Sequence, residues 1–435
     1  MPTTELDRLR SAVRGRVWLP QDADYATVHR PWNLAVAQSP AAVVDPLDTA
    51  DVSALVTFAA SAGVPLAVQP SGHGATGRAS GAILVRMSQL AGIEVHPERR
   101  VARIGAGVQS GALQRAAAVH GLTGLPGSSP VVSVTGAALG GGLSWFGRTH
   151  GWIADSVTAV DLVDATGKAR RVSRSEDPDL FWAMGGGGGD IAIVTGLEIA
   201  LHEAPSLFGG RMLWPRARAR EVITAFREIT ADAPRELTAW LQLLQFPGSD
   251  PMIAIDTTFL GDEVTARRLL HDADLVGGTI ADTRGLLSVA DIGSITAEPT
   301  DPAPGRSRAE LLTRLDDDAA DVLASHSTSP LLVVQIRQLG GALTEPTDNP
   351  HGPLVEPFAA YLFGVPATAE IDGAITARQR ELAGALPTSG RKPMTFLTPS
   401  ESLADALPAA SLERLRRIKD DCDPGDAIRG NFGVR

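Results

Sequence analysis

The sequence predicts an α+β protein in two parts, the second built on an antiparallel sheet flanked by helices. Three observations carry that expectation. A chain of 435 residues is long enough for two or three domain-sized units with a sizeable core. As far as Glu203, short apolar runs alternate with helix-period stretches and are interrupted by three glycine-rich tracts. Beyond Glu203 the composition shifts, and Leu237, Ala239, Leu241 and Leu243 alternate as one packed face of a sheet requires.

In chain order, Val52, Leu55, Val56, Ala59 and Ala60 share a face and predict a helix from Asp51 to Gly63. Thr49 or Asp51 is placed to cap its start and Gly63 to close it. The apolar run Val64–Val68 reads as a short buried strand, and Gln69-Pro70-Ser71-Gly72-His73-Gly74-Ala75-Thr76-Gly77 follows it. Small residues here let backbone N–H groups turn toward a phosphate, while a tight turn with an exposed His73 is the plainer reading. Strands are expected at Ile83–Val85 and within Arg100–Val108, and a short helix around Leu113–His120. The second glycine tract, Gly124–Gly142, reads as irregular backbone lying against a flat or phosphorylated ligand, since glycine weakens helix and strand alike. A linker is the other reading, but Val132, Val134 and Leu139 are interleaved in it. Val157–Val163 and Ala169–Val172 flank Asp164-Ala165-Thr166-Gly167 as a β-hairpin. A short helix at Asp177–Trp182 then runs into Gly185–Gly189, Asp190 and a strand at Ile191–Leu201.

In the second half, helices are expected near Arg216–Thr230, Glu263–Ala273 and Arg308–Leu323. They alternate with strands at Leu237–Leu244, Met252–Asp256, Leu331–Arg337 and Ala359–Val365. Two Pro-rich polar loops, Thr296–Gly305 and Glu345–Pro357, are of the kind that lines sites. A last helix covers Leu412–Ile418.

The bulk numbers narrow the function. A net charge of −11 argues against nucleic acid or an anionic membrane as the main partner. Cys422 is the one cysteine, so neither an intrachain disulfide nor a thiolate metal cluster can form, and no metal site is expected. No run has the length of a transmembrane helix, and Met1–Arg8 has acidic residues but no apolar stretch. A cytoplasmic enzyme, monomer or homodimer, is the expectation. The glycine tracts match neither the G-x-G-x-x-G nor the G-x-x-x-x-G-K-[ST] phosphate loop.

With the three tracts in order, the chain resembles the FAD-linked oxidoreductases of the vanillyl-alcohol oxidase type, in the bacterial berberine-bridge-enzyme-like branch that includes 6-hydroxynicotine oxidases. The resemblance rests on Asp22–Tyr25 with Pro31-Trp32-Asn33, on Ser71-Gly72-His73, and on Gly136–Gly142. Asp179–Ala183 with the glycines after it, and Arg414–Lys419 with Asp423–Asn431, complete it. It implies a PCMH-type FAD-binding domain made of residues 1–204 and 396–435, with a substrate domain, 205–395, inserted over the isoalloxazine. It implies FAD held covalently through a ring nitrogen of His73 and the flavin 8α-methyl group. Ser71, Gly72 and Gly74 would serve the pyrophosphate, and Gly140, Gly141 and Gly142 the ring or ribityl chain. Val134, Gly136 and Asn431 would belong to the same wall, with Gly189, Asp190 and Val194 on the adenine side.

Departures from the family pattern carry information too. Ser129 stands where many relatives have a cysteine that makes a second flavin bond, so one covalent bond is expected. Gln69 replaces a usual arginine and Asp190 a common asparagine, the latter a costly buried charge unless hydrogen-bonded. Flavin oxidation of a C–H bond needs the hydride donor at about 3.5 Å from N5 and often a base. Where relatives often carry a glutamate this chain has Gln335, which cannot be one. Tyr361, His351 and Glu356 are the candidate replacements, a sheet-core aromatic and a solvated loop being the plainer readings of them. Arg337 orients an anionic or carbonyl substrate or forms an ion pair. The expected activity is oxidation of a small organic or secondary-metabolite substrate by O2. Cyclisation or rearrangement over a flavin scaffold with no net redox change is the alternative, and a non-enzymatic FAD-binding protein a third.

Overall fold

The computed structural model describes residues 3–187, 189–325 and 327–435, with side chains from residue 8 onward. Gly188, within the third glycine tract, lies outside them. Three sheets organise the chain. The first runs in the order Arg16–Trp18, Ala42–Asp45, Ile83–Val85, Leu66–Val68 and Ile428–Arg429, with its last three pairings parallel. Its final strand comes from the C-terminal tail, so the two ends of the sequence share one sheet. The second is antiparallel, in the order Ile93–His96, Val101–Gly105, Ile193–Ala200, Val157–Val163, Ala169–Ser173.

The third sheet is antiparallel throughout and has two buried faces of different chemistry. Its long strands, in order, are Leu207–Pro215, Met252–Leu260, Leu237–Leu244, Val333–Gln338, Phe358–Gly364 and, at the edge, Arg306–Leu312. Period-two alternation sends Leu241, Leu243, Ile253, Ile255, Val334, Ile336, Ala360 and Leu362 to one side. There they pack on Val222, Phe226, Leu323, Ile375 and Leu382 of helices Ala219–Ala231, Asp317–Ser325 and Ala369–Ala385. Opposite residues in the register, Gln242, Gln335 and Tyr361, take the other side with Arg211, Asp256 and Arg337. One packed face was the expectation from Leu237–Leu244, yet all eight of its residues are buried, because the first half of the chain covers the polar face. Arg148 clamps the two halves, donating to the carbonyls of Leu237 (2.8 Å), Ala233 (2.9 Å) and Leu339.

Local expectations needed three corrections. The helix Thr49–Ala62 is capped by Asp48, which accepts from the Asp51 N–H, and closed by Gly63 at φ +63°. Asp51 instead turns inward to accept from the Gly15 and Leu47 N–H groups. Residues 308–312, expected at the start of a helix, belong instead to strand Arg306–Leu312, because Ala309 and Leu311 alternate with Arg308 and Glu310 and the strand pairs with Phe358–Gly364. Inside the second glycine tract, Val134–Leu139 is helical with Ser133 as cap. That segment contains only one glycine, and its alanines and leucine favour a helix.

The tail is fixed by a buried ammonium. Lys419, on helix Ala409–Cys422, is fully buried; its Nζ lies 2.7 Å from an Asp423 carboxylate oxygen and donates to the Ile428 carbonyl at 2.7 Å and to the Asp190 carbonyl. Asp190 in turn accepts from the Gly430 N–H (2.7 Å) and the Val434 N–H (3.1 Å). Removing the amine leaves buried carboxylates without their counter-ion, so Lys419→Met should cost about 3–5 kcal/mol. Urea unfolding measures it. A loss within about 1 kcal/mol would mean the cluster is dispensable.

Candidate functional site

A cavity of about 720 Å³ lies between the glycine-rich loops and the polar face of the third sheet. Ser71, Gly72, His73, Gly74, Ser129, Val134, Gly136, Gly140, Gly142, Gly189, Val194 and Asn431 line one side, and Gln335, Arg337 and Tyr361 the other. The loop after strand Leu66–Val68 can lie this close because Gly72 adopts φ +82°; a Cβ there would sit 2.9 Å from the Pro31 Cα. That packing sets the indole of Trp32 flat against the His73 ring, 4.3 Å between centroids at 16°.

His73 has an unusual environment. Its Nδ1 lies 2.9 Å from the Ser71 hydroxyl, while Nε2 is buried with no hydrogen-bond partner among the described residues. Burial pulls the ring down to about 4, so the imidazole is neutral at pH 7. Ser129 Oγ is a second buried polar atom on the same wall with no partner among the described residues. Orphaned polar groups beside a glycine-lined cavity fit a ligand that the protein itself does not contain. The tail completes this wall: the Thr76 hydroxyl donates to the Asn431 carbonyl at 2.7 Å, and Gln69 pairs with Gln38 at 3.1 Å and reaches the Asn431 side chain at 3.5 Å.

Two predicted residues stand off the wall. Gly141 faces His351, whose ring nitrogen would lie 2.5 Å from an added Cβ. Asp190 is spent on the tail, and burial pushes its carboxyl up against the pull of Lys419, two backbone N–H groups and Arg78. Neither His351 nor Glu356 reaches the cavity. His351 is sandwiched on Trp152, 4.9 Å between centroids, and bonded to the Gly185 carbonyl, while Glu356 faces Arg391. Both therefore hold the 345–357 loop in place.

On the sheet, Arg211 donates in bidentate fashion to fully buried Asp256 at 2.6 and 2.8 Å, and Gln242 bonds the same carboxylate. Arg337 donates through Nε to Gln335 Oε1, and its guanidinium carbon stands 4.0 Å from the Trp240 ring and 4.8 Å from that of Phe396. Burial pushes the Tyr361 phenol up, so it stays protonated. Sequence reasoning missed Glu298, the one carboxylate among the cavity-lining residues, whose charge acts on Arg211, Arg337 and Tyr361. It follows Ala297, held at φ +49°, a conformation uncommon outside glycine. Its signal was the loop Thr296–Gly305, flagged for its composition without any one residue standing out. Among the described residues, no group of three or more His, Cys, Asp or Glu is gathered for a metal, and no helix is long and apolar enough to cross a membrane.

Comparison with known proteins bears on this cavity. A family model described as an FAD binding domain matches residues 40–173. The (R)-6-hydroxynicotine oxidase of Paenarthrobacter nicotinovorans is 26% identical over 448 residues, covering 97% of each chain. Among solved structures, BBE-like 1 of Physcomitrella patens superposes with a TM-score of 0.86 at 18% identity over 99% of each chain. Glucooligosaccharide oxidase of Acremonium strictum, described with a 6-S-cysteinyl, 8α-N1-histidyl FAD, does so at 0.84 and 19% identity over 99% of each chain.

Acid should find out the buried neutral rings. The His351 ring is also held down to about 4 by burial. Below the free value of 6.5 the unfolded chain therefore binds a proton that the folded one refuses until about pH 4. Stability falls as pH drops through that window, by up to about 1.4 kcal/mol per pH unit for one such ring. Urea unfolding between pH 5 and 6.5 should show a slope that His351→Gln reduces by about one proton's worth; equal slopes would contradict the assignment.

Proposed function

We propose that the chain, which matches an FAD binding domain over residues 40–173 and is similar along its length to a 6-hydroxynicotine oxidase, is a berberine-bridge-enzyme-like FAD-linked oxidoreductase of the vanillyl-alcohol oxidase type that oxidises a small organic or secondary-metabolite substrate over an FAD tethered once, through His73. The observation that carries this reading is the partnerless, buried Nε2 of His73 at the cavity wall. In the tautomer that donates its Nδ1 proton to Ser71, Nε2 holds the free lone pair, and a neutral imidazole is a competent nucleophile for the flavin 8α-methyl carbon. Ser129 supports a single bond: its hydroxyl is a far weaker nucleophile than a thiolate. Cys422, the one cysteine of the chain, sits at the end of helix Ala409–Cys422, away from the cavity. A chain with one cysteine also suits a reducing cytoplasm.

Bound FAD supplies a two-electron acceptor that O2 can regenerate. The chain's residues divide the remaining work. Ser71, Gly72 and Gly74 present backbone to the phosphates, and Gly136, Gly140 and Gly142 leave room for a flat ring. Gln335 cannot accept a proton, and its side-chain oxygen is taken by Arg337. Tyr361 stays a phenol and donates a hydrogen bond to the substrate. Glu298 then accepts the proton that leaves a substrate O–H or N–H as the adjacent C–H is oxidised.

Acid precipitation tests the tether. His73→Ala should release yellow flavin into the supernatant, whereas the unaltered protein keeps it in the pellet; flavin in the wild-type supernatant would end the covalent reading. Glu298→Gln should keep its flavin yet slow anaerobic bleaching by substrate about 10²–10⁴-fold. Unchanged bleaching would move the proton acceptor elsewhere.

A further inference from the structure

Arg337 is a buried cation with no carboxylate at ion-pair distance among the described residues. Its side chain is 6% exposed on the cavity side of strand Val333–Gln338, and burial lowers it only to about 10, so it is charged at pH 7. Nε is used on Gln335, but among the described residues no carboxylate lies within 4.0 Å and no protein group accepts from Nη1 or Nη2. Other arginines are treated differently. Half-buried Arg211 faces Asp256 in bidentate fashion, and buried Arg148 donates to four backbone carbonyls. Three aromatic rings surround the guanidinium carbon, Trp240 at 4.0 Å, Phe396 at 4.8 Å and Tyr361 at 5.7 Å.

Aromatic faces and one neutral amide oxygen hold the guanidinium in place but do not neutralise it, and an uncompensated buried charge is strongly destabilising. The rings stand around the guanidinium, Arg337 lines the cavity, and the two terminal N–H-bearing nitrogens have no acceptor among the described residues. Two such nitrogens match the two oxygens of a carboxylate. Glu298, which also lines the cavity, adds a negative charge that acts on Arg337 from outside ion-pair distance. It disfavours a second anionic group on the ligand.

We infer that the substrate is a monocarboxylate, seated with its two oxygens on Nη1 and Nη2 of Arg337 and its apolar body along the cavity. This rests on the reading of the cavity as the oxidation site. The carboxylate is not itself transformed; it neutralises the guanidinium and fixes which end of the substrate lies deepest.

The test uses the flavin-loaded protein and three acids, benzoate, phenylacetate and cinnamate, each against its uncharged amide. Binding is read from the flavin visible spectrum and, independently of flavin, from the thermal unfolding midpoint. At least one acid should bind about tenfold or more tightly than its amide, and Arg337→Met should abolish that preference while the amide's affinity holds. Should Arg337→Met fail to fold, Arg337→Lys, which keeps the charge and loses the fork, should still narrow the preference. Acids and amides binding alike, or an acid preference that survives in the folded Arg337 variant, would overturn the inference. Protein that purifies without flavin would count against the proposed oxidation instead, and the thermal readout would still decide the carboxylate question.

Discussion

Lys419 places an ammonium beyond the reach of water, and the geometry of the cavity depends on how it is satisfied. Asp423 and two backbone carbonyls take its protons, and Asp190 takes the N–H groups of Gly430 and Val434. The short strand Ile428–Arg429 can then add to Leu66–Val68, directly before the loop that carries His73. Asn431 and Phe432 reach the cavity wall only because the tail is pinned on both sides of them. A distant polar cluster thus sets the shape of the ligand site, and the cost of burying its charges is offset by mutual neutralisation.

A second constraint comes from the third sheet. Alternation gives each central strand an apolar face for the helices and a polar face for the cavity, so its register also fixes the chemistry of the site. A slip by one residue would send Gln335 and Arg337 into the helix layer and Val334 and Ile336 into the cavity. Burial of the polar face then separates its residues by how they are satisfied. Arg211, Asp256 and Gln242 are mutually paired, whereas Arg337 keeps an unused edge. The same wall is both scaffold and cavity lining.

Legibility in the sequence followed from how local each signal was. Ser71-Gly72-His73 could be read because tight backbone next to a strand demands small residues, and Leu237–Leu244 because a sheet face alternates. Residues 308–312 misled because charges at Arg308 and Glu310 look like a solvated helix, whereas here they lie on an edge strand, pair with each other, and Glu310 also meets Lys392. Asp190 sits next to a glycine tract, yet its partners come from more than two hundred residues away, and no local pattern announces that. Glu298 lay in a loop marked only by prolines. Arg337 was left between ion pair and substrate contact, and the choice needed knowledge of which carboxylates the fold brings near.

Peptide mapping by mass spectrometry of the purified protein tests most directly the claim that this cavity holds FAD on a single tether. A flavin-bearing mass is expected on the peptide that contains His73, with the peptide that contains Ser129 unmodified. Flavin mass on the Ser129 peptide, or on neither peptide in protein that is nonetheless yellow, would contradict it.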